Sequence, residues 1–134
     1  MPVVIKVGSN VATDERGAIR DEIVASIVGQ AVELHRSGTS VVLVTSGAIS
    51  RGIQLLGLAG RPSAMDELQA SSAVGQGQVY AAYDRIFGEH DIATGQILLT
   101  ANDFSARSTY VNAKQTLRKL LEWGVVPVIN ENDT

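Results

Sequence analysis

The sequence predicts an α/β fold on a mostly parallel sheet, because short apolar runs alternate with stretches of helical periodicity. Residues 41–44 are a run of Val and Leu, which is typical of a strand buried on both faces. Residues 21–36 carry apolar side chains at helical spacing and end at Ser37 and Gly38, which favour a helix stop. Strand–helix–strand units of this kind join parallel strands by right-handed crossovers.

The other predicted elements alternate in the same way. Strands are predicted at residues 3–7, 92–100 and 125–129, and a surface turn at residues 14–17. Helices are predicted at residues 47–56, 63–88 and 110–123. In the 21–36 helix, apolar residues at Ile23, Ile27, Ala31 and Leu34, with Val24 and Val28 beside them, form a helical stripe. Small residues at 70–77 predict close approach of another backbone to the long helix, which is also a candidate subunit contact.

The composition favours a small-molecule partner in a chain long enough to form one compact domain. With 134 residues, 45% of them hydrophobic, it can bury a proper core. A net charge of −3 and 4% aromatic residues argue against a nucleic-acid partner. The absence of cysteine excludes disulfides and a thiol nucleophile. Since neither a signal-peptide pattern nor a membrane-length apolar run is present, we expect a cytoplasmic protein with no membrane partner.

Small and polar residues follow the predicted strands. The first strand ends near Lys6, Gly8 and Ser9, and the second near Ser46 and Gly47. The third strand is followed by Asn102 and Asp103, and the fourth ends in Asn130 with Asp133 close behind. Because ligands of parallel sheets bind at the carboxyl ends of the strands, these residues predict one pocket. In it we expect Ser46 to cap the following helix and Gly47 to let backbone amides approach an anion.

The pocket residues suit an anionic ligand, although each is also compatible with an ordinary strand end. Lys6 can reach a phosphate, and the amides of Gly8 and Ser9 add donors. Asn130 and Asp133 can hold an ammonium group or a cation, or orient Lys6. We expect Asn102 and Asp103 to act as helix caps.

No general base is evident in the sequence, because both histidines, His35 and His90, fall at helix ends away from the predicted pocket. A carboxylate acceptor, with a pKa near ~4.3, needs none, because it is already ionised at neutral pH. Phosphoryl transfer to it requires positioning and charge neutralisation. The chain has no phosphate-binding loop of the G-x-x-x-x-G-K-[ST] type, no G-x-G-x-x-G turn after a strand and no cluster with metal-ligand spacing.

Several segments together resemble the amino-acid kinase family and, within it, the kinases of glutamate that open proline biosynthesis. In chain order these segments are Lys6-Val7-Gly8-Ser9, Val44-Thr45-Ser46-Gly47-Ala48-Ile49 with Gly52, Ala73-Val74-Gly75-Gln76, Gly95-Gln96-Ile97-Leu98-Leu99-Thr100 with Asp103, Asn112-Ala113 with Thr116, and Pro127-Val128-Ile129-Asn130-Glu131-Asn132-Asp133. They cover nearly the whole chain in the family's order. Many sister kinases carry a triple-glycine turn where this chain has Ser46-Gly47-Ala48.

The resemblance implies a three-layer α/β/α sandwich and a reaction of ATP with L-glutamate that gives glutamyl 5-phosphate, with Mg²⁺ accompanying the nucleotide. The implied catalytic residue is Lys6, which would neutralise the transferring phosphoryl group. Gly8 and Ser9 would line the path of that group with Lys6. The implied substrate-binding residues are Ser46, Gly47, Ala48, Asn130 and Asp133, the last two at the α-amino end of glutamate. The family is typically homo-oligomeric.

The family's domain is longer than this chain and takes most of its ATP site from a second half. Residues 1–134 therefore resemble the substrate-binding half, and we expect this chain alone to have little or no kinase activity. We also expect apolar sheet surface to remain uncovered, which favours self-association. Two alternatives remain open: a non-catalytic α/β module that binds an amino acid, and a sister kinase whose acceptor is another small acid.

Overall fold

The computed structural model describes residues 1–99 and 107–131 of the chain. Its strands are β1 (Val3–Val7), β2 (Val41–Thr45), β3 (Thr94–Leu99) and β4 (Val126–Glu131). Its helices are α1 (Ser9–Ala12), α2 (Asp21–Arg36), α3 (Ala48–Leu56), α4 (Met65–Glu89) and α5 (Arg107–Glu122). The predicted elements are confirmed with ends that move by a few residues. The short helix α1 was not predicted, because one turn is too short to show a periodic pattern.

The strands form one sheet in the order β1-β2-β4-β3, and each neighbouring pair in it is parallel. The register places Lys6 level with Val44, and Val44 level with Ile129. Side chains alternate between the two faces along each strand, so these three residues share a face. Because all the strands run the same way, their carboxyl ends lie at one edge of the sheet, as predicted.

The main core lies between one face of the sheet and helices α2 and α4. Leu43, Tyr83 and Phe87 are fully buried in this core. The buried residues of α2 are Val24, Val28, Ala31 and Val32, whereas Ile23, Ile27 and Leu34 of the predicted stripe are only partly buried. Of the predicted apolar stripe, Val24, Val28 and Ala31 are therefore buried, and Ile27 and Leu34 pack against the core. Periodicity alone does not tell which apolar residues of such a stripe become fully buried.

Helix α5 lies against the opposite face and completes a three-layer α/β/α sandwich, as the resemblance implied. Leu117 and Leu121 of α5 line an apolar groove of about 450 Å³ with Val42, Val44 and Ile129 of the sheet. Val4, at the end of the same groove, is 60% exposed. Apolar sheet surface is thus uncovered here, while self-association stays a prediction.

Helices α3 and α4 approach each other closely through two glycines. A Cβ atom added to Gly52 would lie 1.7 Å from the carbonyl oxygen of Ser71, and one added to Gly75 would lie 1.9 Å from that of Ala48. The small residues predicted to admit another backbone do admit the backbone of α3. None of the described helices combines the length and the apolar composition that a membrane span requires.

The turn at residues 14–17 forms as predicted, but it is not entirely on the surface. The side chain of Asp14 accepts hydrogen bonds from the amides of Arg16 and Ala18, at 2.8 and 3.0 Å. The hydrogen bond from Ala18, the larger cause, and that from Arg16 lower the pKa of Asp14. Gly17 is buried, and an added Cβ would lie 2.2 Å from the carbonyl oxygen of Ser50. The turn therefore packs against the first turn of α3.

We expect Gly75→Ala to lower the free energy of unfolding by about 1–3 kcal/mol, because the added methyl group overlaps a backbone oxygen. Gly77→Ala is the matched control, since the added Cβ at this position in the same helix meets no other described part of the chain within 4 Å. This control should gain roughly 0.5–1 kcal/mol from helix propensity. Urea unfolding measures both, and equal effects of the two substitutions would contradict the close α3–α4 contact.

Burial raises the pKa of Tyr83, partly opposed by a hydrogen bond from Thr45. In the unfolded chain the phenol titrates near its ordinary pKa of 10.0, so above that pH the unfolded state loses its proton first. The contribution of Tyr83 to stability is therefore complete below pH 10.0 and is lost as the pH rises towards the folded-state pKa. We expect Tyr83→Phe to flatten the decline in unfolding midpoint above that pH, whereas Tyr80→Phe should keep the decline.

Candidate functional site

The turn formed by Ser46, Gly47 and Ala48, called here the 46–48 turn, is tied to the end of the neighbouring strand. Both the amide and the hydroxyl of Ser46 donate to the carbonyl oxygen of Val7, each at 3.2 Å. The prediction that Ser46 caps the helix was wrong, because Gly47 is the N-cap of α3 and no side chain caps it. With its proton engaged, the Ser46 hydroxyl still has lone pairs that can accept from a ligand.

Gly47 makes the turn from β2 into α3 possible. Its φ is +105°, in the left-handed region, and an added Cβ would lie 3.3 Å from Cγ2 of Thr13. Helix α3 therefore begins directly at the sheet edge. The first amides of a helix have no partner within the helix and carry the positive end of its dipole. This geometry suits an anion, as the sequence predicted.

A small cavity lies at this edge of the sheet. Its lining consists of Ser9, Ser46, Gly47, Ala48, Ile49, Ser50, Arg61 and Glu131. Its volume is about 30 Å³, enough for one or two water molecules. Ser9 and the 46–48 turn, all predicted site residues, are thus brought together, while Arg61 and Glu131 were not singled out from the sequence.

Lys6 reaches this edge on the face of the sheet that carries α5. Its Nζ lies 3.3 Å from Oε2 of Glu131, and the Lys6 side chain is 68% exposed. The sequence suggested Asn130 or Asp133 as groups that orient Lys6. Within the described residues Lys6 pairs instead with Glu131, and Asp133 lies outside those residues. That pairing joins strands that are not neighbours, so the order and register of the sheet are needed to find it.

Asn130 ends on the other face of the sheet, level with Thr45. It is 6% exposed, and its Oδ1 has no hydrogen-bond partner within the described part of the chain. The Thr45 hydroxyl is hydrogen-bonded to that of Tyr83 at 3.3 Å. An unpaired buried acceptor costs about 1–3 kcal/mol, a penalty that an N–H donor would relieve. Asn130 thus lies at the same edge as Lys6 but on the opposite face of the sheet.

Gly8 precedes α1 with unstrained backbone angles of −71° and 158°. An added Cβ would have no atom within 4 Å among the described residues. Neither the backbone nor the packing of these residues therefore requires glycine at this position. The open space beside Gly8 leaves room for a ligand to approach the backbone between Lys6 and Ser9.

The remaining residues discussed from the sequence are three polar residues and the two histidines. Asp133, Asn102 and Asp103 fall outside the described residues. His35 is at the opposite edge of the sheet, where its Nε2 lies 2.9 Å from the carbonyl oxygen of Gly124, just before β4. His90 ends α4 before β3 begins, also at the amino ends of the strands.

Comparison with known proteins gives a consistent family. The sequence profile of the amino acid kinase family matches residues 1–134. A glutamate 5-kinase of Caldanaerobacter subterraneus subsp. tengcongensis is 46% identical over 134 residues, covering 100% of this chain and 36% of that protein. A glutamate 5-kinase of Pseudomonas syringae pv. syringae is 49% identical over 131 residues, covering 98% of this chain and 35% of that protein. The chain thus spans about a third of the length of these curated relatives.

A solved structure shares the fold. The T. acidophilum isopentenyl phosphate kinase product complex superposes with a TM-score of 0.63 at 17% sequence identity. The match covers 96% of this chain and 54% of that chain. At this identity the likeness concerns the fold alone.

Proposed function

The chain belongs to the amino acid kinase family, and from this we propose that the protein phosphorylates the γ-carboxylate of L-glutamate with ATP. The product is glutamyl 5-phosphate, in the first step of proline biosynthesis. The observation that carries the proposal is the cavity at the carboxyl edge, where Ser9, the 46–48 turn and Glu131 meet. The glutamate 5-kinase relatives, 46% and 49% identical to this chain, support glutamate as the acceptor.

The reaction needs no proton acceptor. An oxygen of the ionised γ-carboxylate forms a bond to the γ-phosphorus of ATP. The bond from that phosphorus to the bridging oxygen breaks, and ADP leaves with the electron pair. The protein therefore has to align the two reactants and neutralise the charge on the phosphoryl oxygens.

In this proposal Lys6 is the catalytic residue and neutralises the transferring phosphoryl group. Its exposed ammonium at the strand edge supports that role. Gly8 and Ser9 line the path of the phosphoryl group, which the open space beside Gly8 supports. Mg²⁺ bound with the nucleotide neutralises further phosphate charge, and no described residue is assigned to it.

The 46–48 turn and Asn130 hold the acceptor. The first amides of α3 suit one carboxylate of glutamate. The buried Oδ1 of Asn130, which has no partner within the described part of the chain, suits an N–H donor, and this supports its assignment to the α-ammonium group. We assign Asp133 to the same end of glutamate by its place in the motif. The same proposal includes that the protein is cytoplasmic and forms a homo-oligomer.

The direct test is an assay of the complete gene product with ATP and a panel of acceptors, trapping acyl phosphate as the hydroxamate. Product formation with L-glutamate that exceeds product formation with aspartate and other small acids is the expected result. Turnover confined to a different acid would assign a sister kinase. Tight glutamate binding without any turnover would favour the non-catalytic module. We expect residues 1–134 alone to give little or no product.

We expect Lys6→Ala to lower kcat by about 10²–10³-fold, because the phosphoryl oxygens lose a preorganised positive charge. Lys6→Arg keeps the charge and should retain more turnover than Lys6→Ala. The control is Lys119→Ala, since Lys119 is also an exposed lysine paired with a glutamate but lies on α5. Initial rates at saturating substrates measure all three. Full turnover in Lys6→Ala would exclude a catalytic role for Lys6.

We expect Asn130→Leu to raise the KM for glutamate at least tenfold, because a hydrogen bond to a charged group contributes about 1.5–3 kcal/mol. The KM for ATP should change little. The same substitution removes a buried unpaired acceptor, so the free energy of unfolding should stay equal or rise by about 1 kcal/mol. Steady-state kinetics and urea unfolding measure both. A large loss of stability with an unchanged KM would make Asn130 a structural residue.

A further inference from the structure

We propose that Glu131 is a positioning residue that holds the Lys6 ammonium over the carboxyl end of β2 for phosphoryl transfer. The inference rests on the proposed kinase function and assigns a role to a residue that the sequence left without one. Its direct support is the 3.3 Å contact between Nζ of Lys6 and Oε2 of Glu131.

The contact requires the Lys6 side chain to cross the sheet edge. Lys6 belongs to β1 and Glu131 to β4, and β2 lies between these strands. Adjacent strands are about 4.8 Å apart, so the two backbones are separated by roughly twice that distance. The register places Lys6 level with Ile129, so Glu131 is two residues nearer the carboxyl edge on the same face. The ammonium is therefore directed across the end of β2, where the 46–48 turn begins.

The position of Glu131 at the cavity connects this contact to the site. Glu131 lines the cavity together with Ser9 and the 46–48 turn. An unneutralised carboxylate at this wall would repel the substrate's carboxylate and the nucleotide's phosphates. The Lys6 ammonium, 3.3 Å from this carboxylate, offsets its negative charge at the wall. Glu131 thereby fixes the position of the Lys6 ammonium, and Lys6 provides the positive charge that phosphoryl transfer needs.

A lysine requires such a partner because its side chain is long and has many rotamers. The Lys6 side chain is 68% exposed, so surrounding side chains do little to restrict it. Exposed ion pairs contribute little to folding stability. The effect of losing Glu131 should therefore be seen in the rate of the reaction rather than in the stability of the fold.

The test is a double-mutant cycle between Lys6 and Glu131 in the complete gene product, with glutamyl phosphate formation as the readout. We expect Glu131→Ala to lower kcat by about tenfold, since small errors in alignment have large effects on rate. The KM for glutamate should stay within about twofold, because Glu131 is not assigned to the acceptor. Glu131→Gln should lose less, because its amide oxygen still accepts a hydrogen bond from the ammonium.

The cycle separates positioning from general structural support. In the Lys6→Ala background, Glu131→Ala should cause no further loss of kcat, because the group that it positions is absent. The matched control is Glu122→Ala, which breaks the exposed pair between Lys119 and Glu122 and should leave kcat unchanged in either background. Thermal unfolding of each variant verifies the fold, and Glu131→Gln provides the readout if Glu131→Ala does not fold.

Each outcome decides between the two claims. Losses that multiply independently at Lys6 and Glu131 would overturn the positioning role while the kinase function stands. Unchanged kcat in both Glu131 variants would overturn it as well. Absence of glutamate-dependent turnover in the unmodified protein would overturn the proposed function and this inference together.

Discussion

The parallel pairing of β1, β2 and β4 is the constraint on which the candidate site depends. It brings chain segments far apart in sequence to one edge, so that Ser9, Ser46 and Glu131 line a single cavity. The two hydrogen bonds from Ser46 to the Val7 carbonyl then join the ends of adjacent strands. A different strand order would leave the same polar residues at the edge without bringing Lys6 and Glu131 into contact.

Packing of helix α4 and of the 14–17 turn against α3 fixes the start of α3 at the candidate site. Gly52 and Gly75 allow α3 and α4 to pack backbone against backbone, and Gly17 packs against Ser50 in the first turn of α3. The first amides of α3 are therefore held against the sheet edge from more than one side. Preorganised donors of this kind are effective because they need not reorganise when charge develops on a ligand.

The site also contains groups whose arrangement is unfavourable for the fold alone. The buried side-chain carbonyl of Asn130 has no hydrogen-bond partner among the described residues, which reduces stability. The exposed Lys6–Glu131 pair contributes little to it. Glycine at position 8 is not required by the packing around it. These residues lie at the edge where parallel sheets bind ligands. A ligand-binding role would account for their presence there, since local rules are broken mainly at functional sites.

Strand and helix identity, and the edge at which polar residues gather, could be predicted because they depend on local pattern. Alternation of apolar runs and helical stripes identified every strand of the described sheet and the helices α2 to α5. The strand-end positions of Lys6, Gly8, Ser9, Ser46 and Asn130 followed from the same pattern. The one-turn helix α1 gave no periodic signal, and periodicity alone did not show which apolar residues of α2 are fully buried.

The tertiary structure alone decided which of these groups meet. Ser46 bonds to Val7 rather than capping α3, because the adjacent strand end offers a carbonyl that the local sequence cannot reveal. Lys6 pairs with Glu131 because the sheet order and register set their separation, and Asn130 faces away from Lys6 because neighbouring residues of a strand point to opposite faces. Local propensity acts over a few residues, whereas these contacts depend on the pairing of strands that are distant in sequence. The sequence by itself therefore determined which residues lie at the candidate site, and the packed sheet determined which of them are partners.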